Sequence, residues 1–130
     1  MSVTGSILLD TNIVVAHFRN ETSVSSKLGQ QTLYLPLVAL AELYYGAYKS
    51  SYPTKTLAGV HGFLKYAAVL SPGEVTADFY GRIKADLEKA GTPIPQNDIW
   101  IAAIAMEHQL PLASRDRHFS LVKGLTVLSW

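Results

Sequence analysis

Four of the ten acidic residues in this 130-residue chain lie in apolar surroundings, where carboxylates are uncommon. Asp10 follows the short apolar run SILL, Glu42 is the only charged residue in LVALAELYYGAY, Asp98 begins an apolar segment, and Asp116 follows PLAS. An ionised carboxylate among apolar groups costs on the order of several kcal/mol unless a cation or hydrogen bonds offset it. We therefore expect these side chains to converge on a divalent cation.

The donor types around these acids favour a hard cation. The chain has no cysteine, and its four histidines share no metal-ligand spacing, so Mg²⁺ or Mn²⁺ is expected in place of Zn²⁺. The histidines are predicted to be packing or surface residues, with His118 alone near the acids in sequence. Asn12 and Ser114 add neutral oxygens that can orient a carboxylate or a bound water. One or two such ions would lower the pKa of a water and stabilise charge on a phosphate, which predicts phosphodiester hydrolysis.

Two of the acids also have a purely structural interpretation. Asp10 can cap the helix that follows it, which is a common use of aspartate. Asp98 can complement the dipole of its helix, and Asn97 is an equally suitable cap for that helix. For Asp10 we treat capping as secondary to metal binding.

Glu42 and Asp116 have alternatives of their own. Glu42 has no lysine within one helical turn, so its structural alternative is a core glutamate that is protonated or linked to water. Asp116 lies in SRDRH, which is also typical of a solvated turn in which Arg115 and Arg117 are its partners. The sequence leaves these alternatives open.

Short apolar strands alternate with helical segments, and this order determines where the acids can meet. The predicted strands are 6–9, 32–35, 67–70, 110–114 and 125–130, and the predicted helices are 11–20, 37–48, 54–66, 75–87 and 97–109. Gly91 is predicted to end the fourth of these helices. The alternation indicates parallel strands with helices on both faces of the sheet. Ligands gather outside the carboxyl ends of such strands, where Asp10 and Asp116 lie, and Glu42 and Asp98 would project from helices packed there.

Length and composition indicate a single globular domain over residues 1–130, because domains cluster near about 100–150 residues and 48% of the chain is hydrophobic. The absence of cysteine fits a reducing cytoplasm. The first residues, MSVTGS, lack the pattern of a signal peptide, and no apolar run approaches the roughly 20 residues of a membrane span. We therefore expect a cytoplasmic protein without membrane contact.

Four motifs in this order resemble the PIN-domain ribonucleases, and within them the VapC toxins of bacterial and archaeal VapBC toxin–antitoxin pairs. The motifs are LLDTNIVV, ALAELYYG, PQNDIWIAAIA and LASRDRHF, and the resemblance runs over nearly the whole chain. It implies a PIN-like fold, which is a three-layer α/β/α arrangement with a central, mainly parallel sheet.

The resemblance also implies an activity, which is RNA hydrolysis by an Mg²⁺- or Mn²⁺-dependent endoribonuclease. Its substrate would be structured RNA such as tRNA, and a cognate VapB-like antitoxin would block the site. By position, the implied catalytic residues and metal ligands are Asp10, Glu42, Asp98 and Asp116, with Asn12 and Ser114 assisting. At position 114 the family more often has threonine, and serine keeps the hydroxyl.

Two sets of side chains are predicted to contact other molecules. The net charge is only +1, so RNA would have to be held by a few basic residues. The candidates are Arg19, Lys49, Arg82, Arg115 and Arg117. A second set is aromatic and consists of Tyr44, Tyr45, Tyr48, Tyr52 and Phe63. About half of these aromatic residues are expected in the core, and the others would line a homodimer contact or a groove for an amphipathic antitoxin helix.

Two other functions are compatible with the sequence. An acid cluster does not itself recognise the sugar, so a DNA-directed or structure-specific nuclease of the wider PIN-like class is one alternative. The other is a PIN-like binding module that keeps the acid cluster without turnover. A cluster this complete argues against the second alternative.

Overall fold

In the part of the chain that the structure describes, five parallel strands form one sheet around the apolar run that precedes Asp10. The computed structural model describes residues 5–130. The strands are β1 (Ser6–Leu9), β2 (Thr32–Pro36), β3 (Ala67–Leu70), β4 (Leu112–Ala113) and β5 (Val127–Leu128). Their order in the sheet is β3-β2-β1-β4-β5, and every neighbouring pair is parallel. The predicted parallel sheet is confirmed, although β4 and β5 are shorter than the predicted strands 110–114 and 125–130.

Within residues 5–130, six α-helices and one 3-10 helix connect the strands. They are α1 (Thr11–Phe18), α2 (Thr22–Leu28), α3 (Leu37–Lys49), α4 (Pro53–Phe63), α5 (Glu74–Lys89), α6 (Gln96–His108) and the 3-10 helix (Arg117–Leu121). The five predicted helices correspond to all of the α-helices except α2. None of the helices in this part of the chain has the length and apolar character needed to cross a membrane.

The side chains of β1 alternate between the two faces of the sheet, as the two-residue period of a strand requires. Ile7 and Leu9 pack with α1 to α4 on one face, whereas Leu8 packs with α5, α6 and the 3-10 helix on the other. All three side chains are at most 1% exposed, so β1 is shielded from solvent on both faces of the sheet. The three-layer α/β/α fold that the resemblance implies is confirmed.

Helix α2 is the α-helix that the sequence pattern does not predict. Its sequence, TSVSSKL, is rich in serine and threonine, which favour caps and turns over helix interiors. Val24 and Leu28 are its buried residues, and they are four positions apart. That spacing is the available signal, and two apolar residues are too few to indicate a helix.

Helices α5 and α6 pack together in the layer that covers Leu8. In α5 the apolar residues recur every four positions, and those of the C-terminal half are buried, whereas Val75 is 58% exposed. Thr76 is buried next to it, and its hydroxyl donates a hydrogen bond to Glu107 of α6. Gly91 follows α5 in the left-handed region at φ +73°, which confirms the predicted glycine stop.

The aromatic residues around α3 and α4 divide between core and surface, in line with the expectation. Phe63 is buried, and Tyr44 packs against the apolar layer of α1 to α4. Tyr45, Tyr48 and Tyr52 are each at least 67% exposed. These three give this side of the molecule an aromatic surface.

A buried phenylalanine fixes the loop that follows β4. Phe119 is fully buried in the same apolar layer as Leu8. It belongs to the 3-10 helix, which Asp116 caps by accepting a 2.9 Å hydrogen bond at Oδ1 from the His118 amide. The predicted polar turn over 115–119 is therefore an ordered turn with an apolar anchor.

Phe119→Ala is expected to destabilise the protein by about 3–5 kcal/mol, because it removes a fully buried ring and leaves a cavity. Leu121→Ala in the same 3-10 helix is the matched control. Leu121 is 43% exposed, so its truncation should cost less than about 1 kcal/mol. Denaturant unfolding followed by circular dichroism measures both values, and equal destabilisation would contradict the anchoring role.

Candidate active site

Asp10 lies at the carboxyl end of β1 and is 6% exposed. Its Oδ1 accepts a 2.8 Å hydrogen bond from the Thr11 amide, so Asp10 is also the N-cap of α1. Burial raises the pKa of the Asp10 carboxyl and the Asp116 carboxylate adds to the rise, while hydrogen bonds from Ser114 and Thr11 oppose it. The Asp10 side chain therefore caps α1 and also lies among the acidic residues of the site.

Ser114 and Asn12 connect Asp10 to the loop after β4. Because β1 and β4 pair in parallel, the residues that follow them lie side by side. Ser114 Oγ donates a 2.6 Å hydrogen bond to Asp10 Oδ2 and accepts one of 3.0 Å from the Asp116 amide. Asn12 Nδ2 donates a 3.3 Å bond to the same Asp10 oxygen, and Asn12 Oδ1 accepts a 3.2 Å bond from the Arg115 amide of the loop. These bonds hold the two strand ends together at the predicted edge of the sheet.

Glu42 reaches this edge from α3 and is half-buried. Burial raises the pKa of its carboxyl, and the carboxylates of Asp10 and Asp98 raise it further. The Thr11 hydroxyl lies close enough to the Glu42 carboxyl to oppose this rise in its pKa. The hydroxyl oxygen is buried and makes no hydrogen bond of ordinary length within residues 5–130. Glu42 therefore faces other acids instead of a basic partner.

Asp98, Asp116 and His118 form a tight cluster of ligand atoms. His118 Nδ1 lies 3.0 Å from Asp98 Oδ2 and 2.9 Å from Asp116 Oδ1. Burial raises the pKa of the Asp98 carboxyl and the Asp116 carboxylate adds to the rise, whereas the hydrogen bond with His118 opposes it. Asp98 lies in the first turn of α6, and the N-cap of that helix is Pro95, so the capping role considered for Asn97 is wrong.

All four predicted acids line one cleft of about 400 Å³ at the carboxyl ends of the strands. The polar residues that line it are Asp10, Thr11, Asn12, Arg19, Glu21, Glu42, Asp98, Arg115 and Asp116. Five carboxylates thus meet two guanidinium groups in a partly buried space. The cleft therefore has an excess of negative charge. Like charges this close disfavour one another's ionised forms, and a cation would offset this repulsion.

The basic residues predicted to bind RNA are placed differently from one another. Arg19 and Arg115 line the cleft, and Arg117 is exposed in the 3-10 helix beside it. Lys49 and Arg82 do not line the cleft. Lys49 Nζ lies over a tyrosine ring of α3, and Arg82 forms an i,i+4 ion pair on α5.

Arg115 forms an ion pair with Glu21 at the rim of the cleft. Its Nη1 and Nη2 each donate a 3.0 Å hydrogen bond to one Glu21 oxygen, and its Nε donates a 2.6 Å bond to the Trp130 carbonyl. The hydrogen bond with Arg115 lowers the pKa of the exposed Glu21 carboxyl. The alternative in which Arg115 is the partner of Asp116 is therefore wrong.

The sequence pattern does not identify two residues of the site. They are His118, which contacts two of the acids, and Glu21, which lines the cleft. His118 is predicted as a packing or surface residue, but its ring contacts two of the acids. Its position two residues after Asp116, in the same turn, is the available signal. Glu21 gives no such signal, because its partner lies 94 positions away in the chain.

The donor set of the cleft fits a divalent cation. Burial and mutual repulsion raise the pKa of three carboxyls, Asp10, Glu42 and Asp98, and positive charge would stabilise their ionised forms. The buried Thr11 hydroxyl at the cleft wall is a further oxygen, and it makes no hydrogen bond of ordinary length in the described part of the chain. Oxygen donors predominate, which is the preference of Mg²⁺ and Mn²⁺.

Comparison with known sequences agrees with this geometry. The PIN domain family matches residues 7–125. The chain is similar to ribonuclease VapC2 of Haemophilus influenzae, with 38% identity over 127 residues that cover 95% of this chain and 96% of the relative. It is also similar to tRNA(fMet)-specific endonuclease VapC of Shigella flexneri, with 35% identity and the same coverage of both chains.

Solved structures share the fold over almost their full length. VapBC2 from Rickettsia felis, bound to a DNA fragment from its promoter, matches with a TM-score of 0.89 and 25% identity over 95% of this chain and 98% of that chain. DNA-bound VapBC from Salmonella typhimurium matches with a TM-score of 0.89 and 29% identity over 96% and 98%. Because the family match includes helices α1 to α6 and the acids that line the cleft, the chain belongs to the PIN-domain family, in its VapC group.

Proposed function

We propose that this protein is the toxin of a toxin–antitoxin pair and acts as a metal-dependent endoribonuclease. The observation that carries the proposal is the cleft in which Asp10, Glu42, Asp98 and Asp116 converge at the carboxyl ends of the strands. Relatives named ribonuclease VapC2 and tRNA(fMet)-specific endonuclease VapC, at 38% and 35% identity, support RNA as the substrate. The reaction is hydrolysis of a phosphodiester bond.

The proposed metal is Mg²⁺ or Mn²⁺, and the residues that would hold it are Asp10, Glu42, Asp98 and Asp116. When bound, such an ion lowers the pKa of a water and stabilises negative charge on the phosphate. Ser114 orients two of the acids, because its hydroxyl donates to Asp10 and accepts from the Asp116 amide. Asn12 donates to the same oxygen of Asp10 and restricts the rotation of that carboxylate.

A structured RNA such as tRNA is the proposed substrate. Arg19 lines the cleft, where its guanidinium group can bind two phosphate oxygens at once, whereas Arg115 would exchange its ion pair with Glu21 for a phosphate. Arg117, on the adjacent 3-10 helix, would extend this contact along the RNA backbone. Lys49 and Arg82 would meet RNA outside the cleft.

A VapB-like antitoxin is the proposed partner and would block access to the cleft. Support comes from the similar solved structures of Rickettsia felis and Salmonella typhimurium, which are VapBC structures. The exposed Tyr45, Tyr48 and Tyr52 offer aromatic surface for a protein contact. A homodimer, a cytoplasmic location and a single domain over residues 1–130 stay predictions.

Asp10→Asn and Asp98→Asn are each expected to slow cleavage of structured RNA at least about a hundredfold with Mg²⁺ or Mn²⁺ present. Each variant removes a charged ligand, and a loss of several kcal/mol gives this factor because about 1.4 kcal/mol is tenfold. Gel assays on a tRNA measure the rates. Asp86→Asn is the control, since Asp86 is an exposed acid of α5 that does not line the cleft.

Matched RNA and DNA substrates in the same assay discriminate between the proposed enzyme and its alternatives. Preference for DNA flaps would favour a structure-specific nuclease. Metal binding without cleavage of either nucleic acid would favour a binding module. Equal cleavage by the wild type and both variants would rule out the assigned site.

Ser114→Ala is expected to reduce RNA cleavage by about 10–100-fold, the usual effect of removing a hydrogen-bond partner of a metal ligand. The variant leaves Asp10 Oδ2 without its shortest hydrogen bond and frees the Asp116 amide. Ser114→Thr is the matched control, because it keeps the hydroxyl and should keep most of the activity. An alanine variant as active as the wild type would show that the hydroxyl does not position the acids.

Without metal, the contribution of three acids to stability is expected to fall as pH rises above about 4. The pKa values of Asp10, Glu42 and Asp98 are raised by burial, so the folded state binds protons more tightly than the unfolded state. This stabilisation is complete below the ordinary carboxyl pKa and is lost as pH rises through the raised values. Adding Mg²⁺ or Mn²⁺ at about a hundredfold excess over Kd should raise Tm near pH 7 by roughly 5–15 °C, and by less near pH 5.

Thermal unfolding followed by circular dichroism, with and without metal, measures this dependence. In Asp98→Asn a neutral amide replaces one of the repelling charges. The metal-free Tm of this variant near pH 7 should therefore exceed that of the wild type, and its response to metal should be smaller. A metal response that is the same in both proteins and at both pH values would contradict the electrostatic explanation.

A further inference from the structure

We propose that His118 is an additional ligand of the metal and that its imidazole makes the site prefer Mn²⁺ over Mg²⁺. The inference rests on the proposed function, because Asp98 and Asp116, which His118 contacts, are two of the acids proposed to hold the metal. Its basis is the position of Nδ1, which lies 3.0 Å from Asp98 Oδ2 and 2.9 Å from Asp116 Oδ1. The potential ligand atoms of these three residues all lie within 4.8 Å of one another.

Two features of the surrounding chain hold the His118 imidazole in this position. Asp116 Oδ1 accepts a 2.9 Å hydrogen bond from the His118 backbone amide, which closes the turn. The next side chain, Phe119, is fully buried and anchors the 3-10 helix in the apolar layer. The ring is therefore held between two carboxylates by local structure, before any ion is considered.

The distances fit a shared cation at least as well as a hydrogen bond. Nδ1 can carry only one proton, so it can donate to only one of the two carboxylate oxygens that lie 2.9 Å and 3.0 Å from it. An octahedral ion with bonds of about 2.1 Å has neighbouring ligands about 3 Å apart, which matches the distances from Nδ1 to each of the two carboxylate oxygens. The side chains of Asp98, Asp116 and His118 are 14%, 33% and 46% exposed, so one side stays open to water and substrate.

A nitrogen donor changes which ion the cluster prefers. Mg²⁺ binds oxygen ligands almost exclusively in proteins, whereas first-row transition ions accept imidazole. The four acids alone provide a site of oxygen donors that suits Mg²⁺ and Mn²⁺ equally in type. Adding His118 Nδ1 therefore favours Mn²⁺ and the ions that follow it in the transition series.

The other three histidines do not contact the acids, and this makes the test specific. His17 Nδ1 is 2.7 Å from Ser25 Oγ, and its ring packs against phenylalanine rings. His61 packs edge-on against Tyr44, and His108 lies beside a glutamate at the end of α6. A metal–imidazole signal from this chain would thus come from His118.

The experiment is Mn²⁺ binding by the full chain, followed by electron paramagnetic resonance and by electron spin echo envelope modulation. The wild type should show modulation from a directly bound imidazole nitrogen. In His118→Gln, which keeps a hydrogen-bond donor, the nitrogen signal should vanish and Kd for Mn²⁺ should rise about tenfold or more. Kd for Mg²⁺, measured by competition with Mn²⁺, should change less. His108→Gln is the control and should match the wild type.

The outcomes separate this inference from the proposed function. Mn²⁺ that binds the wild type, is lost in Asp98→Asn, and shows no imidazole nitrogen would overturn the role of His118 alone. Unchanged Mn²⁺ affinity in His118→Gln would do the same, because it would leave His118 as a hydrogen-bond donor only. Absence of Mn²⁺ binding by the wild type would overturn both the metal site and this inference.

Discussion

The buried hydrogen bond from Ser114 Oγ to Asp10 Oδ2 is the contact on which the cleft depends. It joins residues 104 positions apart in the chain. Strand β4 has only two residues, so it pairs with β1 over a short length, and side-chain hydrogen bonds add to this pairing. The same hydroxyl accepts from the Asp116 amide, so one oxygen fixes the relative positions of two acids that come from opposite ends of the chain.

The cleft concentrates unfavourable electrostatics that the rest of the fold must offset. Burial and neighbouring carboxylates raise the pKa of three acids, which means that their charged forms are destabilised in the metal-free protein. Two closed apolar layers, one on each face of the sheet, supply the opposing free energy. This division is typical of natural proteins, in which functional sites depart from the local rules that stabilise the rest of the fold.

Apolar context made the acids predictable, because a charge without a local partner is visible in a single sequence. Contacts between distant residues are not visible in this way. His118 meets Asp98 across 20 positions and Glu21 meets Arg115 across 94 positions, and no periodic pattern encodes either pair. Helix α2 is not predicted for a different reason. Its serines and threonines have weak helical preference, and packing on α1 stabilises the helix.

The order of the elements along the chain also determines when the cleft can form. Asp10 and Glu42 belong to the N-terminal part, whereas Asp116 follows β4, and the Ser114 amide donates a 3.0 Å hydrogen bond to Leu128 in β5. Because ribosomes make proteins from the N-terminus, the cleft stays incomplete until β4 has been synthesised and has paired with β1, and β5 has paired with β4. An enzyme of the proposed kind would therefore be inert during its own translation, when it is closest to the RNAs of the ribosome.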